Sequence, residues 1–401
     1  MKRWFSIAAV VVLSLALVIG VACGGGEDEV ERVKEVKYGV GLPLTGLYGS
    51  GLGMPAQQAL ELASDYIGEF TVAGEKYKWN LIFEENGWSS QGGVASATKL
   101  IFEHGVKLMT QLGGDAGMSA QTICEESGVI LFPTAIPLEA FGPDKPHTFL
   151  GQTHAVPNTV AIFKYISEVY PGLKTLSAVA EDTSTGHMMA EAARTAGEYY
   201  GMEWLDAEYF PPETTEFYPV ATKMANKNPD LLYLDFRPLT AVRELGWEGV
   251  SFYWAWTLTM AEYHGPEYVQ GHLIYYPSPL GEALTGFLSE FAAEYEQRFG
   301  TEFLQQSLYS AIHLYFLTDA LKKAGTVDDV DQIIATLETE TFDTPMGQVK
   351  FGLPELDGVG HIFIMPCWIG EIRGEIGEDY HVVFEMSTDE VEALTAEIFG
   401  K

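Results

Sequence analysis

The chain has 401 residues, a length for two or three domains, and its 47% hydrophobic and 12% aromatic content excludes a disordered or collagen-like chain. Lys and Arg total 23 against 56 Asp and Glu, a net charge of −33. So acidic a surface repels phosphate backbones and anionic headgroups, which excludes nucleic acid as a partner and a basic membrane-binding patch.

The first residues set the compartment. Met1-Lys2-Arg3 is a short basic start, and residues 7–22 form an apolar run interrupted only by Ser14 and Gly20. That run is short for a membrane span and suits a signal-peptide core. It ends in Gly20-Val21-Ala22-Cys23, which resembles the lipobox of bacterial lipoproteins, with Gly20 where an aliphatic residue is usual. The resemblance implies a signal peptide over 1–22 and acylation of Cys23; a plain secretory signal is the competing reading. Residues 23–36, in which Cys23 is followed by three glycines and then charges, read as a flexible tether. The expected product is exported and attached to a membrane through lipid alone. Three cysteines are too few for a disulfide-built scaffold, and Cys124 and Cys367 read as buried thiols rather than a disulfide.

Strand and helix patterns then alternate. In chain order the pattern predicts a strand at 37–42, a helix at 54–67, a strand at 79–83, a helix at 92–104, a strand at 107–112, a helix at 119–127 and a strand at 129–132. A second series predicts a helix at 156–170, a strand at 175–180, a helix at 185–200 and a strand at 204–209. It continues with a helix at 218–227, a strand at 231–236, a helix at 239–246 and a strand at 251–255. Helices at 280–299, 305–324 and 327–338 follow, then strands at 348–351 and 361–368 and a last helix at 388–399. Two such series imply an α/β fold with two parallel sheets, each flanked by helices. A ligand would meet both sheets at the C-terminal ends of their strands.

Val40-Gly41-Leu42-Pro43-Leu44-Thr45-Gly46 resembles the opening strand and turn of ABC-transporter solute-binding proteins of the branched-chain amino acid type. Similar phrases follow in order: Ala97-Thr98-Lys99-Leu100 with Gly105-Val106-Lys107, then Glu126-Ser127-Gly128-Val129 before Pro133-Thr134-Ala135. Asn228-Pro229-Asp230-Leu231-Leu232-Tyr233 and Phe342-Asp343-Thr344-Pro345-Met346-Gly347 complete the set. The resemblance implies a type I periplasmic binding protein: two Rossmann-like lobes, three crossovers and a hinge. It further implies a monomer that captures a small molecule and delivers it to an ABC permease and its ATPase subunits, with no cofactor and no metal. One lobe would take 37–152 and 279–358, the other 153–278 and 359–386, with 387–401 as a C-terminal helix.

Carried onto this chain residue by residue, the family's pocket is changed. Gly114 stands at the position of a carboxylate-binding serine, so backbone amides would remain as donors. Asp115 beside it either faces the site and repels anions or acts as an N-cap. In Pro133-Thr134-Ala135-Ile136, Ile136 replaces a threonine that helps hold the ligand ammonium, and Thr134 is the neighbouring hydroxyl. Thr185 replaces a stacking tyrosine, and Phe236 keeps an aromatic position. Trp256 stands where the family places the acid that pairs with the ammonium. Without that acid an ammonium in a closed, dry cleft loses several kcal/mol of compensation. Trp254 and Trp256 also read as ordinary core. Arg237 is either a bidentate carboxylate clamp or a salt bridge to acidic neighbours. Tyr48 and Trp88 lie on loops that should rim the site, and Tyr309 matches a tyrosine-rich segment approaching it; plain packing is the alternative for each. The pattern therefore favours a small organic solute lacking an α-ammonium, as an aromatic or aliphatic carboxylate or an amide-like compound. Enzyme motifs for metal hydrolysis, a nucleophile elbow or a phosphate loop do not occur. A lipid-anchored sensor and a branched-chain amino acid binder are the rival functions.

Overall fold

The computed structural model describes residues 32–134, 137–254, 264–276, 284–373 and 379–400. Cys23, Ala135, Ile136 and Trp256 lie outside these residues.

The first sheet comprises β1 (Lys34–Leu42), β2 (Phe70–Val72), β3 (Glu75–Glu85), β4 (Leu108–Gln111) and β5 (Ile130–Pro133), ordered β2-β3-β1-β4-β5. β1 runs parallel to β3 and β4, and β4 runs parallel to β5. The second half of β1 is buried on both faces, which explains its unbroken apolar character. Strand pairing draws Lys34 to Val36 into β1, so the strand begins three residues before the expected start. β2 is a short antiparallel addition, joined to β3 by a turn in which Ala73 and Gly74 both have positive φ. Helices α1 (Met54–Ile67), α2 (Ser90–Phe102) and α3 (Gly114–Ser127) link these strands.

The second sheet continues the alternation with α4 (Ala155–Val169), β6 (Thr175–Glu181), α5 (Ser184–Tyr199), β7 (Glu203–Phe210), α6 (Tyr218–Lys227) and β8 (Leu231–Leu234). After these come α7 (Leu239–Glu244), β9 (Val250–Tyr253) and β10 (Leu273–Tyr276). Helices α8 (Phe287–Phe299), α9 (Gln305–Ala324) and α10 (Val330–Thr339) follow, then β11 (Thr341–Thr344), β12 (Gly347–Gly352), β13 (Ile362–Ile364), β14 (Cys367–Arg373), β15 (Asp379–Met386) and α11 (Thr388–Phe399). The second sheet has the order β15-β14-β10-β9-β8-β6-β7, and β11-β12-β13 form a small antiparallel sheet.

The strand expected at 361–368 is two strands in two sheets. β13 pairs with β12, whereas β14 pairs with β10. Pro366 stands between them and cannot donate to a ladder, so the apolar run changes sheet there. The helix expected from 119 begins at Gly114, and the helix expected from 280 is described from Phe287, after Gly286 with φ 55°.

The long helix α9 packs on α1 and closes the core of the first sheet. Trp79 of β3 donates its indole N–H to Thr318 Oγ1 at 2.9 Å. His313 faces Tyr38 O–H at 3.0 Å through Nδ1 and the Gly151 carbonyl through Nε2. A carbonyl only accepts, so Nε2 carries the proton and Nδ1 accepts from Tyr38. Cys124 and Cys367 are buried and form no disulfide; burial raises the Cys124 thiol to about 12.

Burial also lowers His313 and His264 to about 4 and His272 to about 3. Each folded value lies below the unfolded one, so the stabilisation is complete above about 6.5 and is lost as pH falls. Urea unfolding should therefore show constant stability near neutrality. Between pH 6.5 and 4 it should decline by up to roughly 1.4 kcal/mol per pH unit per titrating histidine. His313→Asn should have a shallower decline than the wild type.

Candidate functional site

The loops that leave the C-terminal ends of β1, β3, β4 and β5 meet at one edge of the first sheet, where open α/β sheets hold ligands. Asn86, fully buried just beyond β3, organises them. Its amide donates to Gln111 Oε1 at 3.1 Å and to the Leu112 carbonyl at 2.8 Å, and its Oδ1 accepts from Trp88 N–H at 3.0 Å. Trp88 is half-buried and stacks on exposed Tyr48, with ring centroids 4.6 Å apart and planes 9° from parallel. Both rings thus stand at the edge, as their loops suggested.

Gly113 precedes α3 with φ 108° and has no side chain to cap the helix. Gly117 N–H donates to the Gly113 carbonyl at 2.8 Å, while the amides of Gly114, Asp115 and Ala116 fall in the first turn, which lacks intrahelical acceptors. By contrast, Ser89 caps α2 and Thr183 caps α5. Gly114 is half-buried at this terminus. Asp115 is exposed and sits inside the first turn rather than at the N-cap, where its charge complements the helix dipole. Thr134 Oγ1 accepts from Gly113 N–H at 2.8 Å, which ties the β5 loop to the α3 terminus. Below Thr134 a cavity of about 20 Å³ lies between Tyr38, Val40, Leu42, Tyr309 and His313, with room for roughly one water molecule. Tyr309 is buried and lines this cavity.

At the corresponding edge of the second sheet, Arg237 follows β8 and is engaged on every side. Its Nε donates to Asp235 Oδ1 at 3.1 Å, Nη2 to Glu181 Oε1 at 2.9 Å, and Nη1 to the Pro212 carbonyl at 3.1 Å. Its guanidinium lies 4.7 Å from the Phe210 ring. Burial disfavours the charge, but Asp235 and Glu181 outweigh that penalty and raise its pKa. Of the two sequence readings, these contacts are those of the ion pair. Asp235 is buried and also accepts from Tyr253 O–H at 3.4 Å. Phe236 is half-buried beside Tyr253 and His264. Thr185 is partly buried in the first turn of α5.

Trp254 corrects the core reading, since 38% of its surface is exposed at the end of β9. Sequence reasoning also passed over Asn86, Gly113 and Asp235 as organising residues. Asn86-Gly87 directly after a strand is the signature of an Asx turn and would have flagged the first. No sequence signal pairs Asp235 and Glu181 with one arginine. No cluster of metal-ligating side chains occurs among the described residues, and no helix there is long and apolar enough to cross a membrane.

A Cβ on Gly113 would lie 3.0 Å from Trp88 Cε3, on a backbone that side chains rarely adopt. Gly113→Ala should therefore destabilise the protein by about 1–3 kcal/mol in chemical denaturation. Its tryptophan emission should shift as the Trp88 ring moves.

A sequence model of the family described as "Periplasmic binding protein" matches residues 35–376. No curated protein matches the chain by sequence. Among solved structures, a solute-binding protein of an ABC transporter from Rhodopseudomonas palustris BisB5, in complex with 3,4-dihydroxybenzoic acid, is 17% identical with a TM-score of 0.69. That alignment covers 88% of this chain and 98% of the other. A second R. palustris solute-binding protein, in complex with benzoate, is 15% identical with a TM-score of 0.69 and coverage of 88% and 97%. A leucine-binding protein from Thermotoga maritima is 18% identical with a TM-score of 0.69 and coverage of 88% and 99%. At these identities the likeness is one of fold, the type I fold of solute-binding proteins. With the family match spanning both sheets, the chain belongs to the periplasmic binding protein family.

Proposed function

We propose that this protein is an exported, Cys23-acylated solute-binding component of an ABC importer. Its ligand is a small organic carboxylate without an α-ammonium group. The observation that carries this reading is the α3 N-terminus, which has no capping side chain, stands at the sheet edge and adjoins the Tyr48–Trp88 stack. Helix N-termini favour anions through their amides and dipole. The rings would cover the ligand's apolar body. Arg237 is already committed to two carboxylates, so in this reading the amides take the ligand carboxylate. Asp235 is committed likewise and supplies no spare charge for an ammonium. The two R. palustris neighbours named with benzoate and dihydroxybenzoate support the same class.

The T. maritima neighbour's name favours a second reading, a branched-chain amino acid binder. In either case the lobes, 37–152 with 279–358 and 153–278 with 359–386, would close on the ligand. Closure would be driven by the ligand's differential affinity for the closed state, which the permease reads. The protein would have no catalytic role, acting by binding alone.

A thermal-shift panel tests the ligand class. Benzoate or a related acid should raise the melting temperature at millimolar concentration, while leucine, isoleucine and valine should leave it unchanged. Strong stabilisation by leucine with the acids inert would establish the second reading instead. For the anchor, wild-type protein expressed in a bacterial host should partition with membranes and carry acyl mass on Cys23. Cys23→Ala should be soluble and lack it.

A further inference from the structure

Four described non-glycine residues have positive φ: Ala73, Trp88, Asn228 and Leu353. Ala73 belongs to the β2–β3 turn, Asn228 caps the C-terminus of α6, and Leu353 precedes the short helical turn Pro354–Asp357. Trp88, at φ 53°, is the second central residue of the turn Asn86–Ser89, which Ser89 N–H closes on the Asn86 carbonyl at 3.2 Å just before it caps α2. For so bulky a side chain this backbone is an outlier, and such strain persists only where the surroundings over-determine it. Here the surroundings are explicit. Asn86 Oδ1 holds Trp88 N–H at 3.0 Å, Asn86 is itself fixed to the end of β4, and Gly113 leaves the ring its place. The result is a ring face presented beside the α3 N-terminus. A second ring, that of Tyr48, lies on it at 4.6 Å and nearly parallel, and is itself 48% exposed.

We propose that Trp88 is the specificity-determining ledge of the site and selects a flat, ring-bearing ligand, which takes the place that Tyr48 holds on the ring face. The inference rests on the carboxylate reading above for the ligand's other contacts. The near-parallel stack shows that the Trp88 face accepts a flat ring in full contact, and a puckered saturated ring makes a poorer face-to-face contact with it. Because Tyr48 must leave the face first, its stacking subtracts from the ligand's affinity.

The test is calorimetric titration with benzoate, cyclohexanecarboxylate (the same anion on a puckered ring) and benzamide (a flat ring without charge). Wild type should prefer benzoate to cyclohexanecarboxylate by about tenfold, the scale of one aromatic pair. Trp88→Leu and Trp88→Gly should each weaken benzoate about tenfold and abolish the preference. Trp88→Gly relieves the backbone strain, which offsets part of the packing that the ring gives the core, and a cooperative melting transition in both variants separates lost recognition from lost folding. Tyr48→Ala should tighten benzoate a few-fold. Preference for benzoate surviving in Trp88→Leu and Trp88→Gly, or weaker benzoate binding in Tyr48→Ala, would overturn the proposal. Benzoate and cyclohexanecarboxylate bound alike by wild type would remove the ledge and leave the carboxylate reading. Benzoate and benzamide bound alike would remove the carboxylate reading and leave the ledge. Failure of all three probes to bind would overturn both.

Discussion

Two buried amide side chains, Asn86 and Gln111, hold the first sheet's loops in register. Gln111 Nε2 donates to Ser96 Oγ at 2.7 Å, its Oε1 accepts from Asn86, and Asn86 reaches on to Leu112 and Trp88. Strand β3, strand β4 and helix α2 are thereby joined by hydrogen bonds that water cannot replace. A buried amide left unpaired costs about 1–3 kcal/mol, so the members of this chain of bonds support one another. The arrangement also constrains β1. A Cβ on Gly41 would lie 2.1 Å from Gln111 Oε1, so a side chain there would push the Gln111 amide out of its hydrogen bonds. The family-like phrase around Gly41 thus has a packing reason at its centre.

Charge explains the character of the second edge. With 56 acidic residues against 23 basic ones, a cation near a strand end is readily claimed by carboxylates of the chain itself. Arg237 illustrates the outcome, held by Asp235 and Glu181 and backed by the Phe210 ring. Breaking such a partly buried, multiply bonded arrangement for a ligand would strand Asp235 without its partner. The α3 terminus escapes this competition because its positive end is made of backbone amides. Asp115 does share that first turn, but it is exposed to solvent, which screens its repulsion.

Much of the architecture was legible in the residues because periodicity is a local property. Helices α1, α6, α9 and α11 have the bounds the pattern predicts. Boundaries failed where tertiary contacts decide them. Pro366 splits one apolar run between two sheets, and α3 starts five residues early because Gly113 and Thr134 fix its first turn. β2, β10 and β11, three or four residues each, and the eight-residue β15 have no counterpart in the pattern. At the site, loop membership of Tyr48 and Trp88 followed from their positions after strands, but their stacking did not. Of the partners of Arg237, Asp235 is two residues away and falls within the salt-bridge reading, whereas Glu181, 56 positions away, was out of reach.

Local strain and global stability meet at Trp88. The turn Asn86–Ser89 is closed by Ser89 N–H on the Asn86 carbonyl at 3.2 Å, and its two central residues, Gly87 and Trp88, both have positive φ, which suits the glycine and strains the tryptophan. What fixes it is the Asn86 hydrogen bond on one side and the space above Gly113 on the other. Both supports are buried or backbone in origin, whereas the ring they position is half-exposed. The folding energy of the sheet interior is thus transmitted to a surface feature, and the transmission runs through Asn86. An aromatic residue packed only for stability would have a cheaper route, with relaxed backbone and a fully buried ring. Its presence here, strained and partly open beside an uncapped helix terminus, is the physical basis of the recognition proposed at this edge of the first sheet.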